Sequence, residues 1–503
     1  MRVLLLGYET EAYSMGYLGE LLTEDDHRVR LALCDYYNFI DDTSIHDYLE
    51  SRDISDWVNY ADQYQRLYED NWSVDWEFLQ SFEEEYTDSK NLQQLLMSDP
   101  ILSRENHFRV PYYTSIESRD HVYYWAELLI RWTMDILSDF EPDLVLTYGR
   151  NYFIKNVVAQ VSLTSDLPML ALIPSRIGDY CHISREFSLG TDEHIAALLE
   201  DDESWEDTSE AQSHIDSFAE STDGLYDATA QDLSRGESLY AVSEIAGQLL
   251  DRYIHTAKHV LQGSKTKYRG KVFARNYFNS HRPSVVRWRT RSAFNRLRYE
   301  LTDPFEREPP ERSFIYVPLH TLPESSTLTL STEYYERDLV RFMSKEVPAG
   351  IDIAVKENPN MVGPRPFDYY DDLERLPNVH LVDPTVESIR LIRESRGVCG
   401  ISGTALFEAA ILDTPTHYFG CPEFEHVLDY EGHEEFPTFA NACKEGDESK
   451  HPDRVRRYIQ YVFDRGRELE FQEMRSNPES DTWRHATQTA HSMFNEEMET
   501  IDV

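Results

Sequence analysis

The chain has 503 residues, more than one compact core usually holds and enough for two domains with insertions. Asp and Glu total 92 against 48 Lys and Arg, so the formal net charge is −44. This balance argues against a nucleic-acid-binding protein, because such a protein carries a prominent basic surface. We favour the solvation shell of a halophilic protein over an acidic binding surface as the reason for the charge.

The sequence indicates neither a metal site nor a membrane span. Its five cysteines form no Cys-x-x-Cys pair, so a zinc site and a disulfide framework are not predicted. No stretch approaches the about 20 apolar residues that cross a bilayer. The opening MRVLLLGY lacks a small-residue cleavage site and is interpreted as a first strand, not as a signal peptide. We therefore expect an intracellular, cytoplasmic protein.

Residues 1–190 show the alternation of strands and helices that is typical of a doubly wound domain. A buried parallel strand is predicted over 2–7, and no Gly-x-Gly-x-x-Gly motif follows it. The Tyr-, Trp- and acid-rich stretch 35–118 is interpreted as a mostly helical insertion. The other predicted elements are helices near 14–23, over 120–138 and near 151–163, and strands over 28–34, 143–148 and 169–174.

Residues 191–312 are predicted to connect two domains. The acidic stretch 196–223 is interpreted as an exposed loop, because it holds few large apolar residues, and 227–262 as helical. Eleven basic residues without an acidic one follow in 265–298. We prefer a linker helix that pairs with acidic domain faces. The alternatives are a patch that docks at the inner face of an anionic membrane through Trp288, Phe294 and Leu297, and a nucleic-acid site, which the global charge disfavours.

Residues 313–503 are predicted to form a second doubly wound domain that ends in acidic helices. Its predicted strands are 314–319, 351–356, 380–384, 397–401 and 416–420, with helices near 332–346 and over 387–395 and 404–413. In such sheets, ligands bind beyond the carboxyl ends of the strands. The loops that follow these strands are therefore the predicted site.

The stretch GVCGISGTALFEAA, 397–410, places Ser402, Gly403 and Thr404 between a buried strand and a helix. The unpaired amides and dipole of a helix start suit a pyrophosphate, and Gly403 permits close approach of the backbone. Glu408 lies one turn further on the same face, where it can accept hydrogen bonds from ribose hydroxyls. A plain helix cap by Ser402 or Thr404 is the competing interpretation, and this stretch alone leaves both open.

Two further loops follow predicted strands. In AVKENPN, 354–360, Lys356 can neutralise a phosphate, although Asn-Pro is also a common turn pair. In YVPLHTLPESST, 316–327, His320 and Glu324 lie between two prolines. A lone histidine is more often structural, but its place after the first strand of the domain favours a position in the cleft between the domains.

Four motifs in this order resemble the capsule polysaccharide biosynthesis family, which includes Kdo-transferring enzymes. They are PLHTLPESSTL, VKENPN, LPNVHLVDP and ISGTALFEAAILDTPTHYFG. The resemblance covers about residues 313–424 and extends weakly to EPDLVLTYG (141–149) and RIGDY (176–180). Together the four motifs are fairly specific, whereas any one alone is not.

The resemblance implies a GT-B fold, in which two Rossmann-like domains face a cleft and the C-terminal one holds a nucleotide-sugar as co-substrate, without a further cofactor. It implies that Ser402, Gly403 and Thr404 hold the donor phosphates and that Glu408 holds the ribose. Lys356 and Asn358 would lie near the phosphates, and His320 and Glu324 would line the cleft. The family usually has His where this chain has Asn358, which donates hydrogen bonds but carries no charge.

The predicted function is transfer of a sugar from a nucleotide-sugar to a surface polysaccharide, glycan or lipid-linked acceptor. No Asp-x-Asp pair stands out, and GT-B enzymes generally work without a catalytic metal. The base should come from loops of the first domain, with Glu11 as first candidate and Asp179 as second. The alternatives are a nucleotide-sugar epimerase of related fold and a non-catalytic assembly or export factor, which the change at Asn358 favours.

Overall fold

We describe the fold from a computed structural model. It describes residues 1–8, 10–34, 44–52, 56–60, 63, 66, 71–87, 91–98, 119–149, 153–185, 193–201, 205, 207–222, 224–225, 283–322, 327, 331, 335–476, 478 and 480–501. Glu324, the predicted helix over 227–262 and the first part of the basic segment, 265–282, lie outside the described residues.

The strands, in chain order, are β1 Arg2–Tyr8, β2 Arg28–Cys34, β3 Trp57–Asn59, β4 Leu144–Tyr148, β5 Met169–Pro174, β6 Tyr180–Ser184, β7 Phe314–Pro318, β8 Asp352–Lys356, β9 Val379–Val382, β10 Gly397–Gly400, β11 Thr416–Tyr418, β12 Tyr430–Glu431 and β13 Arg467–Glu468.

The α-helices are α1 Glu11–Glu24, α2 Ser44–Glu50, α3 Trp76–Tyr86, α4 Leu92–Met97, α5 Arg119–Phe140, α6 Phe153–Thr164, α7 Glu193–Glu200, α8 Ser209–Glu220, α9 Pro283–Thr302, α10 Glu336–Glu346, α11 Phe367–Glu374, α12 Ser388–Glu394, α13 Thr404–Ile411, α14 Gly432–Glu445, α15 Pro452–Arg465, α16 Phe471–Ser476 and α17 Asp481–Met498. Short 3₁₀ turns occur at Pro359–Met361 and Glu425–Val427.

The first sheet has the strand order β13-β6-β5-β4-β1-β2-β3. Its central strands are parallel, and β6 and β13 add an antiparallel edge. Hydrophobic cores cover both faces of this sheet, which explains why β1, β4 and β5 read as almost continuous apolar runs. The predicted doubly wound domain is confirmed, and the predicted helical insertion also contains β3, which extends the sheet.

The second sheet is parallel throughout, in the order β12-β11-β10-β7-β8-β9. Two more cores cover its faces. The two-domain α/β architecture expected from the sequence, two doubly wound sheets, is therefore confirmed. The carboxyl ends of β7, β8 and β10 lie side by side, because β7 pairs with both of the other strands. This edge gathers the loops that the sequence singled out.

The end of the chain returns to the first sheet. The strand β13 pairs with β6, and α17 packs against α1. The predicted boundary, 313–503 for the second domain, is thus corrected, since the chain from Arg467 to Met498 completes the first domain. Buried apolar residues of this stretch, such as Ala490 and Phe494, belong to the core that covers β1. The acidic composition of α16 and α17 gave no indication of this packing, because only one face of each helix is apolar.

The acidic stretch 196–223 is not the exposed loop that was expected. It contains the end of α7 and all of α8, and both helices pack against α15. Ile195, Leu199, Ala211 and Phe218 are buried in the core beside the second sheet. A few apolar residues on one helix face are enough to fix such a segment, whatever the charge of the other face.

Candidate functional site

The centre of the candidate site is the turn between β10 and α13. Gly403 occupies the N-cap position with extended backbone angles, φ −74° and ψ 153°. Because glycine has no side chain, the N-cap residue supplies no hydrogen bond to the amides of the first turn. Ser402 is buried and Thr404 is partly exposed. The backbone amides in the first turn of α13 are therefore not capped by a side chain at position 403.

His320 lies directly beside this turn. A Cβ atom placed on Gly403 would lie 3.0 Å from the imidazole Nε2 of His320. The residue is 7% exposed, and Nε2 has no hydrogen-bond partner within the part of the chain that the structure describes. A buried polar nitrogen without a hydrogen-bond partner destabilises the folded protein unless a ligand or a water molecule supplies the hydrogen bond. The structure thus brings together two of the predicted residues, His320 and Gly403.

The other side of the imidazole is held by Glu336, the first residue of α10. Glu336 Oε1 accepts the backbone N–H of His320 at 2.5 Å and lies 3.0 Å from Nδ1. Burial alone would raise the pKa of this carboxyl, but Arg365 and the hydrogen bonds from His320 outweigh it and hold the pKa below its ordinary value. Glu336 is therefore an ionised acceptor.

Arg365 joins this pair to a second buried carboxylate. Its guanidinium lies 2.8 Å from Glu336 Oε2 and 2.8 Å from Glu357 Oε2, and it donates to the carbonyl of His320 at 2.6 Å. Glu357 also accepts from Tyr370 Oη. Burial raises the pKa of Glu357 to about 7, against the opposing effect of Arg365. Sequence reasoning missed Glu336 and Arg365, because no local pattern reveals that a charged residue is fully buried.

Lys356 and Asn358 have local partners. The ammonium of Lys356 donates to Ser388 Oγ at 2.7 Å, at the start of α12. The side-chain oxygen of Asn358 accepts the N–H of Asn360 at 3.0 Å, and so caps the 3₁₀ turn. The turn interpretation of Asn-Pro therefore describes the local structure of Asn358. Its role toward a donor stays a prediction.

Glu408 lies one turn into α13, as expected, and is 5% exposed. Its Oε1 accepts the backbone N–H of Leu225 at 2.8 Å. Arg393 holds the same connecting segment by donating to the carbonyls of Ala219 and Ser221, both at 2.7 Å. The connection between the domains thus covers the carboxylate that was predicted to bind ribose.

The two candidate bases belong to the first domain. Glu11 begins α1 and is 1% exposed; its Oε2 lies 2.8 Å from Lys155 Nζ and accepts the N–H of Tyr8 at 3.2 Å. Lys155 also donates to the carbonyl of Tyr148 at 2.5 Å. Glu11 therefore ties together the ends of β1 and β4. Asp179 is exposed in the turn between β5 and β6.

An ion pair connects loops of the two domains. Arg176, in the loop after β5, lies with Nε 3.0 Å from Glu423 Oε1, in the loop after β11. Arg176 belongs to the RIGDY motif (176–180), which resembles the capsule family weakly. This resemblance was the only sequence signal for Arg176. In the same loop, burial first and Glu431 second raise the pKa of Glu425 to about 8. Both acidic residues follow β11, the strand that pairs with β10.

The described residues hold neither a cluster of metal ligands nor a helix that could span a membrane. No group of three or more His, Cys, Asp or Glu side chains there is arranged to hold a metal ion. Among the described helices, none combines the length and apolar character that crossing a bilayer requires.

Comparisons with known proteins give similarities of fold only. No protein-family model matches the chain. A comparison with curated proteins finds no match either. Among solved structures, the chain is similar to KpsC of Thermosulfurimonas dismutans, a β-Kdo 2,4-transferase, at 12% identity and a TM-score of 0.34, over 65% of this chain and 93% of that chain.

A UDP-GlcNAc 2-epimerase from Neisseria meningitidis, bound to UDP-GlcNAc, matches at 12% identity and a TM-score of 0.26, with 100% of each chain covered. The glycotransferase of kitacinnamycin matches at 8% identity and a TM-score of 0.21, over 99% of this chain and 98% of that chain. All three TM-scores lie below 0.5.

Proposed function

We propose that this protein is a glycosyltransferase that moves a sugar from a nucleotide-sugar to a glycan acceptor. The observation that carries the proposal is the buried Nε2 of His320, directed at the Gly403 turn where α13 begins. The start of α13 and the imidazole of His320 converge at Gly403, which has no side chain. This arrangement suits a diphosphate. The four motifs that resemble the capsule family contain both residues.

In the proposed reaction, an acceptor hydroxyl attacks the anomeric carbon and the bond from this carbon to the diphosphate oxygen breaks. The departing diphosphate gains negative charge, which the first-turn amides of α13 and His320 would stabilise. A carboxylate of the first domain takes the proton of the hydroxyl. Glu11 and Asp179 remain the candidates, and Glu11 would have to exchange its bond to Lys155 for the acceptor.

A nucleotide-sugar epimerase is the second candidate. It would need carboxylates and a histidine that converge on the sugar ring. Glu336 and Glu357 are the carboxylates near His320, but both are paired with Arg365. This pairing favours the transferase.

The function is tested by a thermal-shift panel of UDP-, GDP- and CMP-sugars, followed by product analysis. A ligand present at 100 times its Kd should stabilise the native state by about 2.7 kcal/mol. Acceptor-dependent release of free nucleotide identifies a transferase, and a changed sugar that is still linked to the nucleotide identifies an epimerase. Binding without either product indicates the non-catalytic alternative, and no shift with any compound contradicts the proposal.

We expect Glu408→Ala to weaken nucleoside binding by about tenfold, because a hydrogen bond to a charged group is lost. Uridine, cytidine and guanosine are titrated by calorimetry, together with pyrophosphate, whose affinity should not change. Glu394→Ala, which removes an exposed carboxylate from the neighbouring helix α12, is the control. Unaltered nucleoside affinity in Glu408→Ala would remove the ribose assignment.

We also propose that α9 docks on an anionic bilayer. One face of this helix is buried through Ala293, Asn295 and Tyr299, and Asn295 Nδ2 donates to the carbonyl of Arg365 at 3.1 Å. This packing agrees with the linker interpretation. The opposite face exposes 68% of Phe294 and 77% of Leu301.

We expect Phe294→Ala to reduce sedimentation of the protein with phosphatidylglycerol vesicles severalfold, more so together with Trp288→Ala. At molar salt the Debye length is about 3 Å, so only close contacts and buried aromatic area would hold the protein there. Trp76→Ala, which removes an aromatic side chain 46% exposed in the first domain, is the control. If the wild type did not sediment with the vesicles at low or at molar salt, membrane docking would be contradicted and only the linker interpretation would remain.

A further inference from the structure

We infer that Glu336 is a positioning residue that makes binding of the donor diphosphate depend on a proton, because it holds His320 so that only the imidazolium form can donate to the ligand. This inference rests on the proposed function. It concerns a residue outside the four motifs, on the helix α10.

The inference follows from the two nitrogens of one ring. Glu336 is ionised, so it can only accept, and the Nδ1 atom that lies 3.0 Å from it must carry a proton. A neutral His320 therefore has a bare Nε2. The lone pair of this unprotonated nitrogen would repel a phosphate oxygen bound at the Gly403 turn, because both atoms are hydrogen-bond acceptors. Only the doubly protonated ring donates from both nitrogens at once.

The geometry fixes the ring for this purpose. Glu336 Oε1 accepts from the backbone N–H of His320 as well as from the ring, and Arg365 donates to the carbonyl of His320 at 2.6 Å. Both peptide groups of the residue are thereby engaged by side chains from α10 and from the turn before α11. Rotation of the imidazole away from the Gly403 turn would break the 3.0 Å contact between Nδ1 and Glu336 Oε1.

A group of buried charges lies behind the contact between Glu336 and His320. One cation, Arg365, lies between the carboxylates of Glu336 and Glu357, at 2.8 Å from each. Ionisation of Glu357, whose pKa burial raises to about 7, adds negative charge as the pH rises. Among the described residues, Glu336 and Arg365 contact His320 directly, and Glu357, Tyr369 and Tyr370 surround Arg365. Asn358, used as a turn cap, adds no charge.

The test is calorimetric titration with inorganic pyrophosphate and UDP between pH 5.5 and 8.5. We expect the affinity of the wild type to fall as the pH rises, with proton uptake on binding. Glu336→Gln keeps the hydrogen-bond acceptor but removes the charge, so its affinity should fall at a lower pH. The variant should be about tenfold weaker at pH 7.5 and close to the wild type at pH 5.5.

Two other variants separate this role from a purely structural one. Asp338→Asn removes an exposed carboxylate from the first turn of the same helix and should follow the wild type at every pH. His320→Gln should bind without proton uptake. The protonation of pyrophosphate itself contributes equally to the titrations of all variants. Differences between the variants therefore reflect protonation of the protein.

A parallel loss at every pH in Glu336→Gln, or proton uptake that persists in His320→Gln, would overturn the inference while leaving the proposed function intact. Failure of the wild type to bind any of UDP, GDP, CMP or pyrophosphate would overturn both. Circular dichroism of each variant confirms that it is folded before titration.

Discussion

Nucleotide affinity is expected to fall by about 100-fold or more in Gly403→Val, which corresponds to about 2.7 kcal/mol of binding free energy. Even the Cβ atom of a residue at position 403 would lie 3.0 Å from His320 Nε2, closer than an ordinary contact. The branched side chain of valine would extend further, into the position proposed for the diphosphate. The expected loss therefore has two causes, exclusion of the ligand and displacement of the imidazole.

The measurement is calorimetric titration with UDP and pyrophosphate, with thermal unfolding to show that the variant is folded. A matched pair of smaller changes isolates the position. Gly403→Ala should weaken binding, whereas Gly400→Ala should be almost neutral, because a Cβ at Gly400 meets its nearest neighbour, Leu406, only at 3.9 Å. Binding that survives in Gly403→Val would place the phosphate site elsewhere.

Arg365→Met is expected to cost about 3–5 kcal/mol of stability, because it leaves buried carboxylates without their partner. Arg365 is fully buried and lies 2.8 Å from each of Glu336 and Glu357. Methionine has a similar length and is apolar, so loss of volume is a minor part of the effect. Chemical denaturation followed by circular dichroism measures the change in the free energy of unfolding.

Arg341→Met is the matched control. Arg341 pairs with Asp338 and Asp372 at 3.0 Å each, but its side chain is 37% exposed, and exposed pairs contribute about 0–1 kcal/mol. Adding Glu336→Gln and Glu357→Gln to Arg365→Met should restore part of the lost stability, because the unpaired charges disappear. A cost below about 1 kcal/mol for Arg365→Met would show that water or backbone groups satisfy these carboxylates.

The sequence by itself determined the two doubly wound sheets. Apolar runs such as those at 2–7 and 397–401 are dictated by burial on both faces of a parallel sheet, and they alternate with helical periodicity. The Ser402–Gly403–Thr404 turn was also readable, because the change from strand to helix pattern at a glycine is a local property. The edge strands β3, β12 and β13 were not readable, since two or three residues carry too little pattern.

Only the tertiary structure decided which charged residues lie beside the proposed site. Glu336 and Arg365 look like surface residues in an acidic chain, and nothing within a few positions of either shows that distant elements bury them together. The return of the chain at Arg467 to the first sheet and the contact of Leu225 with Glu408 are of the same kind. Each joins segments far apart in the sequence, and such contacts depend on how the sheets and helices pack, not on local propensity.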